Sequence, residues 1–240
     1  ILALVLFLGL MFLKVPVFVA VLSGTCAYMA MTPTVNGIVV VQKVLAGIGS
    51  VTLLAIPFFV GAGILMNMSG ITKRIMDLCV ILTGRMSGGL AQVNVLLSTL
   101  MGGLSGSNLA DAAMEAKLLV PEMERNGYSK EFSSVVTAVS AMITPLIPPG
   151  IGMIVYGSLA NASVGRLFMA GISVGLLLMV AMMILNYIIA KKRGYSSIRE
   201  ERVSAAEFLR VLKAAILPLC LPILIIGGIR IGAVTPTEAG

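Results

Sequence analysis

The sequence has 240 residues, of which 58% are hydrophobic and 11% are charged, and its mean hydropathy is +1.06. Ordinary soluble domains do not have this composition, so the sequence predicts an all-α polytopic membrane protein. The formal net charge is +7, but the basic residues cluster between apolar runs, which indicates membrane orientation and no nucleic-acid binding. Histidine is absent, which excludes a histidine general base and the HExxH metal sites.

Residues 1–70 are predicted to form scaffold transmembrane helices. Because a helix needs about 20 residues to cross the hydrocarbon core, the charge-free windows predict helices at Val17–Met31 and Leu53–Met68. The piece between them, residues 37–49, is expected to lie at the membrane interface. Residues 71–87 mix apolar and basic residues at helical spacing, which is typical of an amphipathic interfacial arm, with a plain cytoplasmic loop as the alternative.

Residues 88–121 are predicted to form a re-entrant helical hairpin whose tip is the polar, glycine-rich stretch Gly102–Asp111. The basic residues favour this topology over a full crossing. If the hairpin enters and leaves on one face, thirteen basic residues share one side of the membrane against three on the other, whereas a full crossing divides them six against ten. By the positive-inside rule, the hairpin opens to the cytoplasm and the N-terminus is periplasmic.

The hairpin tip combines residue types that form turns with residue types that bind ions. Its glycines permit a tight turn, and Ser105, Ser107 and Asn108 offer oxygens to a hard cation and donors to a carboxylate. The spacing of Asn108 and Asp111 is also that of a helix N-cap with an acidic residue at N3, which predicts that Asn108 caps the second arm. Glu115 is expected to be solvated from the cytoplasmic mouth.

Residues 132–160 are predicted to form a transmembrane helix that is broken in its middle. The uncharged window containing them spans 34 residues, which is too long for one straight helix, and Pro145, Pro148 and Pro149 must interrupt it. The broken backbone leaves carbonyls without helical partners, and Thr144 adds a hydroxyl. Such breaks are tolerated at membrane depth only where protein, water or ions satisfy them, so an ion site is expected here.

Three segments complete the predicted organisation. Residues 166–190 are predicted to be one plain transmembrane helix. Residues 191–213 are predicted to be a cytoplasmic basic arm helix, whose Lys and Arg residues face anionic phospholipid headgroups. Residues 214–240 are predicted to form a further transmembrane helix and the start of a second repeat.

Five motifs, in order along the chain, resemble the large membrane subunit of tripartite ATP-independent periplasmic (TRAP) transporters. They are Ala55–Gly63, Gly70–Arg74, Gly103–Ala112, Thr144–Gly150 and Thr235–Ala239. The resemblance covers essentially the whole chain and implies the N-terminal half of such a subunit. It implies the first of two inverted repeats of an elevator-type fold of the ion-transporter superfamily, in a multi-pass protein of the bacterial inner membrane.

The same resemblance implies a function and partners. The expected activity is sodium-driven import of a small organic acid, such as a sialic acid or a C4-dicarboxylate. The expected partners are a small four-helix membrane subunit, separate or fused, and a periplasmic substrate-binding protein that delivers the solute.

Our site hypothesis joins the polar residues of the hairpin tip and of the break, because discontinuous helices commonly bind sodium and anionic substrates. The expected sodium ligands are the side chains of Ser105, Ser107, Asn108 and Thr144 and carbonyls around Gly103, Pro145 and Gly150. The residues expected to face the substrate carboxylate are Ser107, Asn108, Pro149 and Gly150.

Three alternatives stay open. A proton-coupled carboxylate transporter would use Asp111, and a non-transporting scaffold subunit would use the hairpin only as structure. A membrane enzyme would use Ser107 or Asp111, but the sequence offers no histidine, no plausible lysine base near the serine and no second facing aspartate. No enzymatic activity is therefore expected.

Overall fold

A computed structural model describes residues 2–32, 36–199 and 203–235 of the chain. In this part of the chain the backbone forms eleven α-helices and one short 3₁₀ turn, and no strand. The prediction of an all-α protein is therefore confirmed. The chain divides into two units, Ile1–Ser50 and Val51–Gly240, and the candidate site lies within the second.

The first unit contains α1 (Leu2–Phe12), α2 (Val17–Met31) and α3 (Gly37–Ile48). Helix α2 has the bounds that the sequence predicts, and it packs closely on α1 because a Cβ at Gly24 would lie only 3.2 Å from the Ala3 carbonyl oxygen. The segment expected at the interface is helical and begins where the Asn36 side chain accepts a hydrogen bond from the Ile38 N–H. Residues 33–35, between α2 and α3, lie outside the described residues.

The second unit carries the predicted hairpin and the predicted broken helix. Its helices are α4 (Val51–Met68), α5 (Ile71–Thr83), α6 (Gly89–Ser105), α7 (Asn108–Arg125), α8 (Lys130–Ser140), the 3₁₀ turn Thr144–Leu146, α9 (Ile151–Ala160), α10 (Val164–Arg193) and α11 (Ala205–Arg230). Helices α6 and α7 form the hairpin. Helices α8 and α9, with the 3₁₀ turn between them, form the broken helix.

Helix α6 lies at the centre of this unit, with fourteen of its 17 residues buried. Three of its polar side chains each bond a different neighbouring helix. Gln92 donates to the carbonyl of Met183 on α10 over 2.8 Å, Asn94 donates to Thr137 of α8 over 2.7 Å, and Ser98 contacts α7. These hydrogen bonds give the buried polar side chains the partners that water would otherwise provide. Because each partner lies on one neighbouring helix, the bonds determine which faces of the helices pack together.

Helix α5 corresponds to the predicted amphipathic arm. Its apolar residues Ile75 and Cys79 are fully buried and share a core cluster with Val93 and Leu97 of α6. The apolar face of α5 therefore packs on protein, where the sequence interpretation placed it on the membrane surface.

In the described part of the predicted basic arm, residues 191–199 and 203–213, the helical residues belong to α10 and α11. Helix α10 continues to Arg193, and residues 205–213 belong to the same helix as the following apolar stretch, α11. Between them, Gly84 accepts backbone hydrogen bonds from Ile198 and Arg199, over 2.8 and 3.1 Å respectively. This segment therefore binds to the loop that precedes the hairpin. Residues 236–240, within the predicted start of a second repeat, lie outside the described residues.

Three stretches of the described chain are long and apolar enough to cross a membrane: Gly37–Met66, Val164–Arg193 and Ala205–Ile229. A fourth crossing is formed if the bent pair Lys130–Leu146 and Ile151–Ala160 counts as one span, with a bend of 45° between its halves. This is the predicted broken helix, and the bend falls at its prolines.

Candidate functional site

The tip of the hairpin is a two-residue turn. Helix α6 ends at Ser105, and Gly106 takes a left-handed conformation with φ of +59°, which a residue with a side chain rarely adopts. The Ser107 side chain then accepts a hydrogen bond from the Ala110 N–H over 3.4 Å and caps α7. The predicted N-cap at Asn108 is wrong by one position: Asn108 is the first helical residue and is exposed.

The Ser105 hydroxyl makes two hydrogen bonds within the tip. It donates to Asp111 Oδ2 over 2.6 Å and accepts from the N–H of Ser107 over 3.3 Å. Because the Ser107 N–H is used in this way, the carbonyl of Gly103 loses its usual donor four residues along the helix. The Gly103 carbonyl is therefore without its helical hydrogen bond.

Two glycines of the hairpin, Gly102 and Gly106, lie tightly against carbonyl oxygens of the broken helix. A Cβ at Gly102 would lie 2.8 Å from the Thr144 oxygen, whereas one at Gly103 would lie closest to Pro222 of α11, 2.8 Å from its Cγ. A Cβ at Gly106 would overlap the Pro149 oxygen. The glycines thus permit direct contact between the two breaks, which the sequence predicts only as a pairing of motifs.

The break leaves a further carbonyl oxygen without a helical donor. Residues 148 and 149 are both prolines, so neither can donate to the carbonyl of Pro145 in a helical or 3₁₀ pattern. Gly150 packs directly against this oxygen, which leaves no space for a side chain there. The Thr144 hydroxyl is fully buried and donates to the carbonyl of Ser98 over 3.3 Å.

A cavity of about 160 Å³ lies between α4 and the hairpin tip. It is lined by Val60, Gly63, Ile64, Met101, Ser105, Ser107, Ala110 and Asp111. At its wall a Cβ on Gly63 would lie 3.1 Å from the Ser105 Cα, so α4 approaches the tip closely. The cavity is polar on the hairpin side, where both serines and the aspartate meet.

The predicted site residues divide between this cavity and the contact with the break. Ser105 and Ser107 line the cavity, whereas Pro149 and Gly150 are buried. Asp111 lines the same cavity and accepts a hydrogen bond from Ser105 over 2.6 Å. The sequence interpretation gave Asp111 a role in the cap, as a proton carrier or in the rejected enzyme, and it did not predict this bond to Ser105.

Glu115 and Ser98 were also missed. The expectation that Glu115 is solvated is wrong, because its side chain is fully buried, with its oxygens 2.8 and 2.7 Å from Ser98 Oγ. The signal was present in the spacing: Asp111 and Glu115 are four residues apart and so share one face of α7.

Residues 4–240 match the family model described as Tripartite ATP-independent periplasmic transporter, DctM component. The chain belongs to this family. Over 232 residues it is 42% identical to the sialic acid TRAP transporter large permease protein SiaM of Vibrio cholerae, covering 97% of this chain and 54% of the relative. It is 41% identical over 239 residues to the sialic acid TRAP transporter permease protein SiaT of Haemophilus influenzae, covering 99% of this chain and 38% of the relative.

A third TRAP relative is named for a different substrate. The C4-dicarboxylate TRAP transporter large permease protein DctM of Pseudomonas aeruginosa is 39% identical over 188 residues, covering 78% of this chain and 44% of the relative. The chain thus spans about half the length, or less, of these curated relatives. Family membership confirms the resemblance drawn from the five motifs. TRAP permeases are transporter subunits and not enzymes, and the apolar helices fit a multi-pass protein of the inner membrane.

Proposed function

We propose that this chain supplies the first half of a sodium-coupled importer of an organic acid. The observation that carries the proposal is the direct contact of the hairpin tip with the proline break, where Gly102 lies against the Thr144 oxygen and Gly106 against the Pro149 oxygen. The names of the relatives, for sialic acid and C4-dicarboxylate transport, support a carboxylate as the solute.

Sodium is the co-transported ion in this proposal, and the predicted ligands suit it chemically. Hard cations prefer oxygen, and the carbonyls of Gly103 and Pro145 lack their helical donors. Ser105 and Thr144 lie within two residues of them along the chain, and the Asp111 carboxyl group accepts a hydrogen bond from the Ser105 hydroxyl. The remaining predicted ligands are Ser107, Asn108 and Gly150.

The substrate carboxylate is proposed to bind at the start of α7. The N-terminus of a helix attracts anions because its first N–H groups point outward and the helix dipole is positive there. Asn108 is exposed at this position and Ser107 is half-buried beside it. Pro149 and Gly150 are buried, so they would face the carboxylate only through the backbone beneath the tip.

Coupling follows if sodium orders the tip. Bound sodium would order the tip and orient the N-terminus of α7 toward the solute, so the solute would bind well only to the sodium-loaded state. Sodium and solute would then each raise the affinity of the protein for the other. In the elevator hypothesis, the hairpin and the broken helix move together against the scaffold helices of residues 1–70. The contact between Gly63 and Ser105 then lies on the sliding surface.

The partners and the orientation are part of the same proposal. A periplasmic binding protein would deliver the solute, and a small four-helix membrane subunit, separate or fused, would complete the scaffold. The N-terminus would be periplasmic and the hairpin would open to the cytoplasm. The basic residues of 191–213 would then face anionic phospholipid.

Uptake in proteoliposomes tests the proposal. The full-length transporter, with its binding protein, is given a radiolabelled sialic acid or C4-dicarboxylate under an inward sodium gradient, with potassium replacing sodium in the control. We expect accumulation with sodium and background uptake with potassium. Equal uptake in both, with either solute, would refute sodium coupling.

The burial of Asp111 favours one alternative, which is proton coupling. In that case an inward proton gradient alone drives uptake, and Asp111→Asn abolishes it. A scaffold subunit, in contrast, shows no uptake under either gradient and no ion-dependent thermal stabilisation of the purified protein.

A further inference from the structure

Glu115 is the most deeply buried acidic side chain of the hairpin, and it lies outside the proposed ligand set. It is fully buried on α7, and both of its carboxyl oxygens contact one hydroxyl, that of Ser98 on α6, at 2.8 and 2.7 Å. No lysine or arginine within the described segments forms an ion pair with it. The groups that face it are Ser98, the Cys79 thiol of α5 and Asp111 one turn earlier on α7.

This geometry favours a protonated Glu115. A serine hydroxyl has one hydrogen, so it can donate to only one of two carboxyl oxygens at full strength. Two short contacts are both satisfied when the carboxyl group carries a proton: its O–H donates to Ser98 Oγ, and the Ser98 O–H donates to the other oxygen. A buried carboxylate with no cationic partner is strongly disfavoured, which points to the same neutral form.

Ser98 connects this pair to the break. Its side chain holds Glu115, and its backbone carbonyl accepts the hydrogen bond of the Thr144 hydroxyl over 3.3 Å. A shift of Ser98 therefore moves the acceptor that orients Thr144. The path runs from α7 through α6 to the 3₁₀ turn of the broken helix.

We propose that Glu115 is a neutral carboxylic acid that, through Ser98, positions the Thr144 hydroxyl and thereby sets the sodium affinity of the site. Glu115 is a positioning residue, since it touches neither the ion nor the solute. The inference rests on the proposed sodium site.

Four variants test the proposal in the purified full-length protein. Glutamine has a donor and an acceptor in the places of the acid's O–H and carbonyl, so Glu115→Gln preserves both bonds. Glu115→Leu removes them while keeping a similar volume, and Ser98→Ala removes the shared hydroxyl. Glu124→Leu is the matched control, because Glu124 lies on the same helix and is exposed.

The main measurement is the sodium concentration that gives half of the maximal thermal stabilisation. Potassium replaces sodium across the series so that the ionic strength stays constant. We expect the half-maximal sodium concentration of Glu115→Gln and of Glu124→Leu to stay within about twofold of the wild-type value. We expect Glu115→Leu and Ser98→Ala each to raise this concentration about fivefold, which is the equivalent of one net hydrogen bond. The double variant Glu115→Leu/Ser98→Ala should change it little further. A second measurement is the infrared C=O band of a protonated carboxyl group, which Glu115→Gln should remove.

Each other outcome rejects a defined part of the proposal. A lower melting temperature in Glu115→Leu with an unchanged sodium midpoint means that Glu115 only stabilises the fold, and it overturns the positioning role. A Glu115→Gln variant that behaves like Glu115→Leu, or that leaves the intensity of the infrared band unchanged, overturns the neutral acid. If wild-type protein shows no response to sodium, both the sodium site and the positioning role are rejected, and the infrared band alone still decides the protonation state.

Discussion

Gly106 lies directly against the carbonyl oxygen of Pro149, so that the turn of the hairpin and the break of the helix touch backbone to backbone. The Ile151 N–H also donates to the Gly106 carbonyl, over 3.5 Å. Any side chain at position 106 would separate the two, because its first carbon would overlap the Pro149 oxygen. This contact depends on glycine for two reasons, the close approach and the positive φ of +59°.

We therefore expect Gly106→Ala to destabilise the protein and to abolish uptake. The left-handed backbone alone costs about 1–2 kcal/mol for a residue with a Cβ, and overpacking against Pro149 adds roughly 1–3 kcal/mol. The measurement is thermal or denaturant unfolding together with uptake in proteoliposomes. Gly127→Ala is the matched control, since Gly127 has a positive φ of +83° but nothing within 4 Å of a Cβ. Equal losses in both variants would mean that backbone strain, and not the contact with Pro149, decides the effect.

Much of this architecture is encoded locally and could be predicted from the sequence. Prolines at 145, 148 and 149 remove helical donors wherever they occur, and an uncharged run of 34 residues is too long for one straight span, so the break follows from composition and length. The hairpin is indicated by the polar, glycine-rich stretch Gly102–Asp111 together with the distribution of the basic residues. Helix α2 matches its predicted bounds because Pro16 and Thr32 flank an uninterrupted apolar run.

The predictions that were wrong, for the N-cap of α7 and for Glu115, concern features that depend on the tertiary structure. Ser107 and Asn108 are both good capping residues, and only the left-handed turn at Gly106 decides that Ser107 takes the cap. Glu115 lies on a helix that also carries exposed Lys117, and its burial depends on Ser98, 17 residues earlier. Sequence spacing places Asp111 and Glu115 on one face, but it does not show which helix covers that face.

Gly171 of α10 provides a second test of close packing against the break. A Cβ there would lie 2.5 Å from the carbonyl oxygen of Leu146 and 2.8 Å from the Met153 sulfur. We expect Gly171→Ala to lower the free energy of unfolding by roughly 1–3 kcal/mol through overpacking. In Gly227→Ala, where nothing lies within 4 Å, the helix propensity of alanine should instead leave stability unchanged or raise it by about 0.5–1 kcal/mol. Unfolding of both variants in the same detergent decides the comparison.

Tyr128, in the loop between α7 and α8, gives a prediction of pH dependence. Its ring is 5% exposed and stacks on Tyr195 with centroids 4.3 Å apart. Burial raises the pKa of the Tyr128 phenol from 10.0 to about 12, a shift that a hydrogen bond with the backbone of Leu90 partly opposes. The folded state thus holds this proton more tightly than the unfolded state. Its contribution to stability is fully present below pH 10 and is lost as the pH rises through 12.

We therefore expect Tyr128→Phe to reduce the loss of stability across this alkaline window. The measurement is the unfolding midpoint as a function of pH, followed by tyrosine absorbance to detect ionisation. Tyr156→Phe is the control, because Tyr156 is 60% exposed. An alkaline transition that is identical in wild type and Tyr128→Phe would show that another group is responsible.

Ser107 and Asn108 are adjacent in sequence, but their structural roles differ, and a pair of alanine variants can separate capping from transport. Ser107 caps α7 through its bond from Ala110, so Ser107→Ala should cost about 1 kcal/mol of stability and also raise the sodium concentration needed for half-maximal uptake.

Asn108 is exposed at the first turn, so Asn108→Ala should change stability by no more than about 0.5 kcal/mol. If the Asn108 amide faces the solute carboxylate, Asn108→Ala raises the half-saturating concentration of the solute more than the half-saturating concentration of sodium, because sodium keeps its other ligands. Uptake assays that vary solute and sodium independently measure the two constants. A variant that shifts neither constant removes Asn108 from the site and assigns carboxylate binding to the N–H groups of α7.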